Sequence, residues 1–193
     1  MEMADEKLNP VVRCFLALPL AEFESEVRPL ISQFKQTYPK IRWIEVKNIH
    51  ITLHFFGSIP SDQVKEISDL VIPITQVTRP FEMSLQGLGA FPNLHLPRVI
   101  WIGASGSVKE LENLQDELER RFKAKGFPCE GRKFKPHLTI GRVKDLKVKL
   151  RPDFIGGFTT PLKRINGITL FQSSLTPQGP QYEVLKYFPF SKS

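Results

Sequence analysis

The chain has 193 residues, a length that suits one domain or two closely packed lobes, and its 41% hydrophobic and 24% charged residues are typical of a globular protein. No apolar run approaches the roughly 18 residues of a membrane span, and residues 1–10 lack the basic start and apolar core of a signal peptide, which predicts a cytoplasmic location. The net charge of +7 is concentrated in residues 120–151, which contain 12 Lys and Arg and only 2 acidic residues. This concentration favours a polyanionic ligand such as nucleic acid, and the alternative is a solvated basic face without a ligand.

The first half of the chain alternates strand and helix patterns. Pro19 ends an apolar, β-rich opening segment, and Pro29 inside the next helical pattern predicts a break or kink. Gly57 is expected to end the strand that starts at His50, and Ser61 is a candidate helix N-cap. Strands are predicted over residues 11–18, 41–46, 50–56 and 81–88, and helices over residues 21–38 and 61–70.

The second half repeats the alternation. Ser107 is expected to open the clearest helix, which has one apolar face and ends at Gly126. Loops are predicted over residues 89–97 and 145–160, and a Pro- and Gly-containing turn over 176–180. Strands are predicted over residues 99–103, 134–143, 163–171 and 181–188.

The most distinctive motif is a tetrad, His-x-Thr-x, that occurs twice. It begins at His50 and again at His137, with Thr52 and Thr139 two places later, and it takes 2 of the 4 histidines in the chain. Branched apolar residues fill the second and fourth positions of both copies. On a strand, alternate side chains share a face, so each His and Thr should point one way from an apolar backing.

Two such pairs suit acid–base chemistry at a phosphate. One imidazolium can protonate a leaving oxygen while a neutral imidazole takes a proton from the nucleophile, and the two Thr hydroxyls can donate hydrogen bonds to phosphoryl oxygens. By strand parity His54 should share this face and contact substrate or line the rim, whereas His95 lies in loop sequence. His50 and His54 do not suggest a metal site, because their spacing converges only on a helix and no third ligand has supporting spacing, so we expect no metal and no cofactor.

The two halves of the sequence have a weakly similar order of predicted elements. Each half runs strand, helix and strand with a tetrad on the last strand, which predicts two similar lobes that share one cleft. No low-complexity linker divides the chain, so we expect a single two-lobed domain over residues 1–193.

The sequence resembles the RNA 2′,3′-cyclic phosphodiesterases, or 2′-5′ RNA ligases, of the two-histidine phosphoesterase superfamily. The resemblance runs nearly end to end, and the paired tetrads are its most specific part. It is carried by residues 13–18 (RCFLAL), Trp43, residues 50–57 (HITLHFFG), Trp101, residues 136–142 (PHLTIGR) and the C-terminal segment 168–182.

The resemblance implies an α+β fold of two lobes whose antiparallel sheets face a central cleft, with the helices outside. It implies His50 as the proton donor, His137 as the proton acceptor, and Thr52 and Thr139 as phosphate ligands. Arg142 is a further substrate ligand by resemblance, although strict alternation puts it opposite His137 unless a bulge intervenes. The substrate implied is RNA with a 2′,3′-cyclic phosphate end, with tRNA fragments as one source, acted on by a monomer outside any membrane.

Three readings remain open at this point. The leading one is metal-independent hydrolysis of RNA 2′,3′-cyclic phosphate ends to 2′-phosphates, with reversible 2′-5′ ligation as a related activity. The alternatives are a phosphodiesterase for small cyclic nucleotides and an RNA- or nucleotide-binding module without turnover. Lysines proposed to contact the RNA backbone are Lys123, Lys125, Lys133, Lys144 and Lys147.

Overall fold

The computed structural model describes residues 10–144, 148–150, 157–177 and 179–191. Two antiparallel sheets and three helices make up this part of the chain, which confirms the predicted α+β class. The strands are β1 (Val11–Pro19), β2 (Arg42–Trp43), β3 (His50–Pro60), β4 (Phe81–Phe91), β5 (Val99–Gly106), β6 (His137–Arg142), β7 (Lys163–Ile165), β8 (Gly167–Thr176) and β9 (Gly179–Pro189). The helices are α1 (Glu24–Thr37), α2 (Gln63–Thr75) and α3 (Val108–Ala124).

The two sheets draw on both halves of the chain. Sheet I has the strand order β3-β1-β8-β9 and carries the first tetrad, and sheet II has the order β2-β6-β5-β4-β7 and carries the second. Each sheet carries one tetrad, but the two sheets do not correspond to the two halves of the sequence. The short strand β2 joins sheet II, whereas the C-terminal hairpin of β8 and β9 joins sheet I.

Two helices pack on a different sheet from the one that contains the strand before them. Helix α3 follows β5 of sheet II, yet its Phe122 ring lies 4.9 Å from Phe56 on β3 of sheet I. Helix α1 follows β1 of sheet I, yet its Phe34 stacks on Trp43 of β2, with ring centroids 5.3 Å apart. The buried apolar side chains of both sheets form one continuous cluster. The crossed helices therefore tie the two sheets together.

Several element ends differ from the prediction for identifiable reasons. Helix α1 runs through Pro29 without a break, and the irregularity falls earlier, in a 3₁₀ turn at Ala21–Phe23. Strand β3 continues past Gly57, whose positive φ of 73° allows the chain to turn within the strand. The predicted strand over residues 163–171 is divided at Asn166, because β7 pairs with β4 and β8 pairs with β1.

Other predictions hold closely. Ser107 precedes α3, and Gly126, with a φ of 82°, follows its end. The predicted loop over residues 145–160 falls largely outside the described residues. Within the described ranges, no helix has the combination of length and apolar composition needed to cross a membrane.

Candidate active site

A cleft of about 450 Å³ lies between the two sheets. Strands β1, β3, β8 and β9 supply one wall, and β2 and β6 supply the other. Both tetrads open into this cleft, so the structure brings together His50, Thr52, His137 and Thr139, as the sequence predicted. The other residues that line the cleft are Arg13, Phe15, Arg42, Trp43, Ile44, Glu45, Asn48, Phe55, Arg142, Ser173, Leu175, Gly179, Pro180 and Tyr182.

The His50 ring is held by its own backbone and by aromatic neighbours. Its Nδ1 lies 2.7 Å from the carbonyl oxygen of Asn48, and because a carbonyl can only accept, Nδ1–H is the donor and Nε2 is left for chemistry. The ring packs 4.9 Å from Phe15 and 5.4 Å from Tyr182, centroid to centroid. Burial lowers the pKa of His50 to about 4, with the Asn48 carbonyl acting to raise it and the Arg142 charge to lower it.

The His137 ring is held in the same way on the opposite wall. Its Nδ1–H donates to the carbonyl oxygen of Lys135 at 2.6 Å, again two residues earlier in the chain. Phe91 meets the ring edge to face, with centroids 5.1 Å apart. Burial lowers the pKa of His137, and the Lys135 carbonyl acts against this effect, whereas the charges of Arg132 and Arg142 add to it. Both histidines thus present Nε2 and favour the neutral form in the free protein.

The two threonines accompany the histidines on the cleft faces of their strands. Thr52 is exposed and Thr139 is half-buried, while Ile51 and Leu138 between them and the histidines are buried in the core. Among the described residues, neither Thr hydroxyl has a protein hydrogen-bond partner, so both can donate to a ligand in the cleft.

His54 does not share the cleft face, and the expectation from strand parity is wrong. In the pairing of β1 with β3, Ala17 faces Thr52 and Leu16 faces His54, so Leu53 is an extra residue and forms a β-bulge. The bulge turns His54 into the core, where it is 6% exposed and packs against Phe122 at 4.7 Å. This position is incompatible with contact between His54 and a substrate in the cleft.

A second bulge brings Arg142 into the cleft. In the pairing of β5 with β6, Trp101 faces Thr139 and Ile100 faces Gly141, so Ile140 is the extra residue. Without this bulge, Arg142 would point away from His137. With it, Arg142 lines the cleft and its charge acts on both histidines.

Several residues that line the cleft were not predicted as site residues from the sequence, among them Arg13, Phe15, Phe55 and Tyr182. Phe55 takes the cleft position that His54 was expected to hold, and Arg13 lies over its ring at 4.6 Å. Phe15 and Tyr182 flank His50. The alternation of residues 13 to 18 could have placed Arg13 and Phe15 on one face, but the pairing of β1 with β8 and β9 is not visible in the sequence.

The described residues contain no group of three or more His, Cys, Asp and Glu side chains placed to hold a metal ion. His50 and His54 point to opposite faces of β3, so they cannot share a ligand. Besides Glu45 and Asn48, the polar groups in the cleft are two histidines, hydroxyl donors and arginines, which are suited to binding an anion and moving protons.

Comparison with known proteins gives a consistent result. The family model of the 2′-5′ RNA ligase superfamily matches residues 21–159. The RNA 2′,3′-cyclic phosphodiesterase of Methanocaldococcus jannaschii is 38% identical over 91% of this chain and 99% of its own length. That of Aquifex aeolicus is 34% identical over 92% of this chain and 97% of its own length. The crystal structure of E. coli LigT complexed with 3′-AMP superposes with a TM-score of 0.75 at 26% identity, over 95% of this chain and 100% of that one. The chain belongs to the 2′-5′ RNA ligase superfamily.

Proposed function

We propose that the protein hydrolyses the 2′,3′-cyclic phosphate at the end of an RNA and leaves a 2′-phosphate. The observation that carries this proposal is the matched presentation of two His–Thr pairs from opposite sheets into one cleft. The relatives named RNA 2′,3′-cyclic phosphodiesterase support the choice of substrate.

The proposed reaction is an in-line displacement at phosphorus. His137 acts as the base: its neutral Nε2 takes a proton from water as the water oxygen bonds to phosphorus. His50 acts as the acid: its imidazolium gives the Nε2 proton to the departing 3′ oxygen, and the phosphate stays on the 2′ oxygen. Thr52, Thr139 and Arg142 donate hydrogen bonds to the non-bridging oxygens, whose charge grows in the transition state.

The same arrangement allows ligation when a 5′-hydroxyl replaces water. The base then takes the hydroxyl proton, the 3′ oxygen leaves as before, and the product is a 2′-5′ phosphodiester. Because no other bond changes, ligation needs no nucleotide cofactor, and its extent depends on the concentration of 5′-hydroxyl ends relative to water.

The basic segment over residues 120–151, which flanks the second tetrad in the sequence, supports RNA as the partner, and tRNA fragments are one candidate source. Three of its arginines are paired with carboxylates, namely Arg120 and Arg121 with Glu117 and Arg132 with Glu130. Four of the five lysines proposed as phosphate contacts are exposed, and in the described ranges they lack a carboxylate partner. These are Lys123, Lys125, Lys133 and Lys144, whereas Lys147 lies outside the described residues.

We further propose that the protein works as a monomeric, single two-lobed unit in the cytoplasm. One chain supplies both walls of the cleft, and the crossed helices join the two sheets. Light scattering during gel filtration tests the oligomeric state directly.

The decisive experiment uses a short oligoribonucleotide with a 2′,3′-cyclic phosphate, in the presence of EDTA. We expect full turnover under chelation and a product that carries a 2′-phosphate, as identified by chromatography against 2′- and 3′-phosphate standards. Loss of activity with EDTA and recovery with a divalent ion would show that the proton-transfer mechanism proposed here is wrong.

Histidine variants test the roles in the same assay. His50→Ala and His137→Ala should each lower kcat by about 10² to 10⁴, the usual contribution of a positioned acid or base. His95→Ala is the matched control, since His95 is exposed outside the cleft. Near-normal turnover in either tetrad variant would favour a single-histidine mechanism.

A further inference from the structure

The cleft contains polar groups that the cyclic phosphate does not need. The reaction employs the two tetrads and Arg142, yet Arg13, Ser173 and Tyr182 also line the cleft, on the sheet I wall. In the described ranges, none of these three side chains has a hydrogen-bond or carboxylate partner within the protein. All three can donate hydrogen bonds, and Arg13 carries a permanent positive charge.

Their positions follow from the register of sheet I. Tyr182 on β9 is paired with Ser173 on β8. The ladder between β1 and β8 ends at the pair of Cys14 with Gln172, and continuing the antiparallel direction by one residue on each strand puts Arg13 on the same side as Ser173. Since directly opposed residues point to the same face, the three side chains form a row across three neighbouring strands. We call Arg13, Ser173 and Tyr182 the donor row.

Aromatic contacts hold two members of the row in place. The Arg13 guanidinium lies 4.6 Å from the centre of the Phe55 ring, which supports the cation without neutralising it. The Tyr182 ring meets Phe15 edge to face at 5.0 Å and His50 at 5.4 Å. The row therefore adjoins the site of proton transfer and is preorganised for a ligand.

Tyr182 joins this row to the reacting site. Burial raises the pKa of its phenol, and the charges of Arg142 and Arg13 both act to lower it. The tyrosine is thus close enough to both arginines to be influenced by each, although Arg142 belongs to sheet II and Arg13 to sheet I. An anion bound at Arg13 would occupy a second position in the same cleft as the cyclic phosphate.

We propose that the donor row is a second phosphate subsite, which binds the phosphodiester on the 5′ side of the terminal nucleotide. This inference rests on the proposed function, which supplies the first phosphate. In an RNA end the next phosphate along the chain is one ribose away, so a cleft with two adjoining anion sites selects a nucleotide within a strand over a free nucleoside cyclic phosphate. Charge-assisted hydrogen bonds to phosphate provide the binding energy.

The test compares two substrates that differ in one group. One is adenosine 2′,3′-cyclic phosphate with a free 5′-hydroxyl, and the other carries a methyl phosphodiester on its 5′ oxygen. We expect wild type to favour the second in kcat/KM by about 10- to 100-fold, the value of one or two hydrogen bonds to a charged group. Because the ratio is taken within one preparation, partial misfolding of a variant cancels out.

Variants assign the preference to the row. Arg13→Gln and Tyr182→Phe should both bring the ratio close to one, and Tyr182→Phe removes only the hydroxyl while it keeps the ring against His50. Arg164→Gln and Tyr187→Phe are the controls, because both residues are exposed and lie outside the cleft, and they should keep the wild-type ratio. A wild-type ratio near one, or an undiminished ratio in both donor-row variants, would overturn the proposal.

A binding measurement separates this inference from the proposed reaction. If wild type turns over neither substrate, the proposed function fails. The subsite is then decided by titration calorimetry with adenosine 2′-phosphate, with and without the 5′ methyl phosphodiester. Tighter binding of the diester in wild type, lost in Arg13→Gln, supports the subsite, and equal affinities contradict it.

Discussion

The depressed pKa of His50 predicts different pH profiles for kcat/KM and kcat. Burial destabilises the imidazolium and lowers the pKa to about 4 in the free protein. At pH 7 only about one His50 in a thousand would then carry the proton that the proposed acid must give. The pKa of His137 is also lowered. Since both values lie below the ordinary 6.5, kcat/KM, which reports the free enzyme, should peak below pH 6.5 and fall about tenfold per unit above pH 7.

The bound substrate should reverse this shift. One negative charge about 4 Å from an imidazolium stabilises it by about 4 kcal/mol at an effective dielectric constant of about 20. That energy corresponds to a factor of about 10³ in the protonation equilibrium, so the pKa of His50 should rise well above its free-protein value when substrate is bound. Because kcat reports the complex, its optimum should lie about 2 to 3 pH units above that of kcat/KM.

Initial rates on a fluorescent cyclic-phosphate oligonucleotide between pH 4.5 and 9 measure both profiles. NMR titration of the histidine side chains in the free protein gives an independent value, and His50→Ala identifies the signal that belongs to His50. Coincident profiles for kcat and kcat/KM, or a His50 pKa at or above 6.5 in the free protein, would refute the reasoning.

Three further predictions concern binding and packing. Thr52→Val and Thr139→Val should each lower kcat by about 10 to 1,000-fold while the histidine pKa values persist, because each loses one phosphate donor and no proton carrier; kinetics with NMR titration distinguish these effects. Gly141→Ala should destabilise the fold by about 1 to 3 kcal/mol in urea unfolding, because the new Cβ would lie 2.9 Å from the Trp43 ring. Gly157→Ala is the control, because an added Cβ there has no described atom within 4 Å beyond its chain neighbours, and stability should change by less than about 0.5 kcal/mol; equal effects of the two variants would contradict the packing explanation. The logarithm of the affinity for a long RNA should fall by roughly 0.7 per log unit of salt for each phosphate contact. Changing the four exposed lysines to Gln should make this dependence shallower, and an unchanged slope would show that they do not bind RNA; they are Lys123, Lys125, Lys133 and Lys144.

The sequence predicted the site to the extent that strand parity holds. His50 and Thr52, and likewise His137 and Thr139, are two residues apart, and no bulge interrupts either pair. Parity failed at the next step on both strands. The bulge at Leu53 removed a histidine from the cleft, and the bulge at Ile140 added an arginine. A bulge depends on the partner strand, so it leaves no local signal in the sequence that would reveal it.

Strand composition predicted most elements, because apolar alternation is a local property. The sheet that each strand joins could not be predicted from composition. The segment from Lys163 to Phe171 has the composition of one strand, yet pairing with β4 and then with β1 divides it between sheets at Asn166. The donor row has the same origin. Arg13 and Tyr182 are far apart in the chain, and only long-range pairing through β8 brings them together.

The interleaving of the sheets has a consequence for how the chain could be divided. A cut in the connection between β4 and β5 would give two fragments, each with one tetrad and each with strands from both sheets. Neither fragment would contain a complete sheet, and helix α3 would be separated from strand β3, on which it packs. Catalysis would then require the two fragments to associate, because each carries only one of the two tetrads that form the cleft. We therefore expect each fragment alone to be inactive, and turnover to appear only when the two fragments are combined.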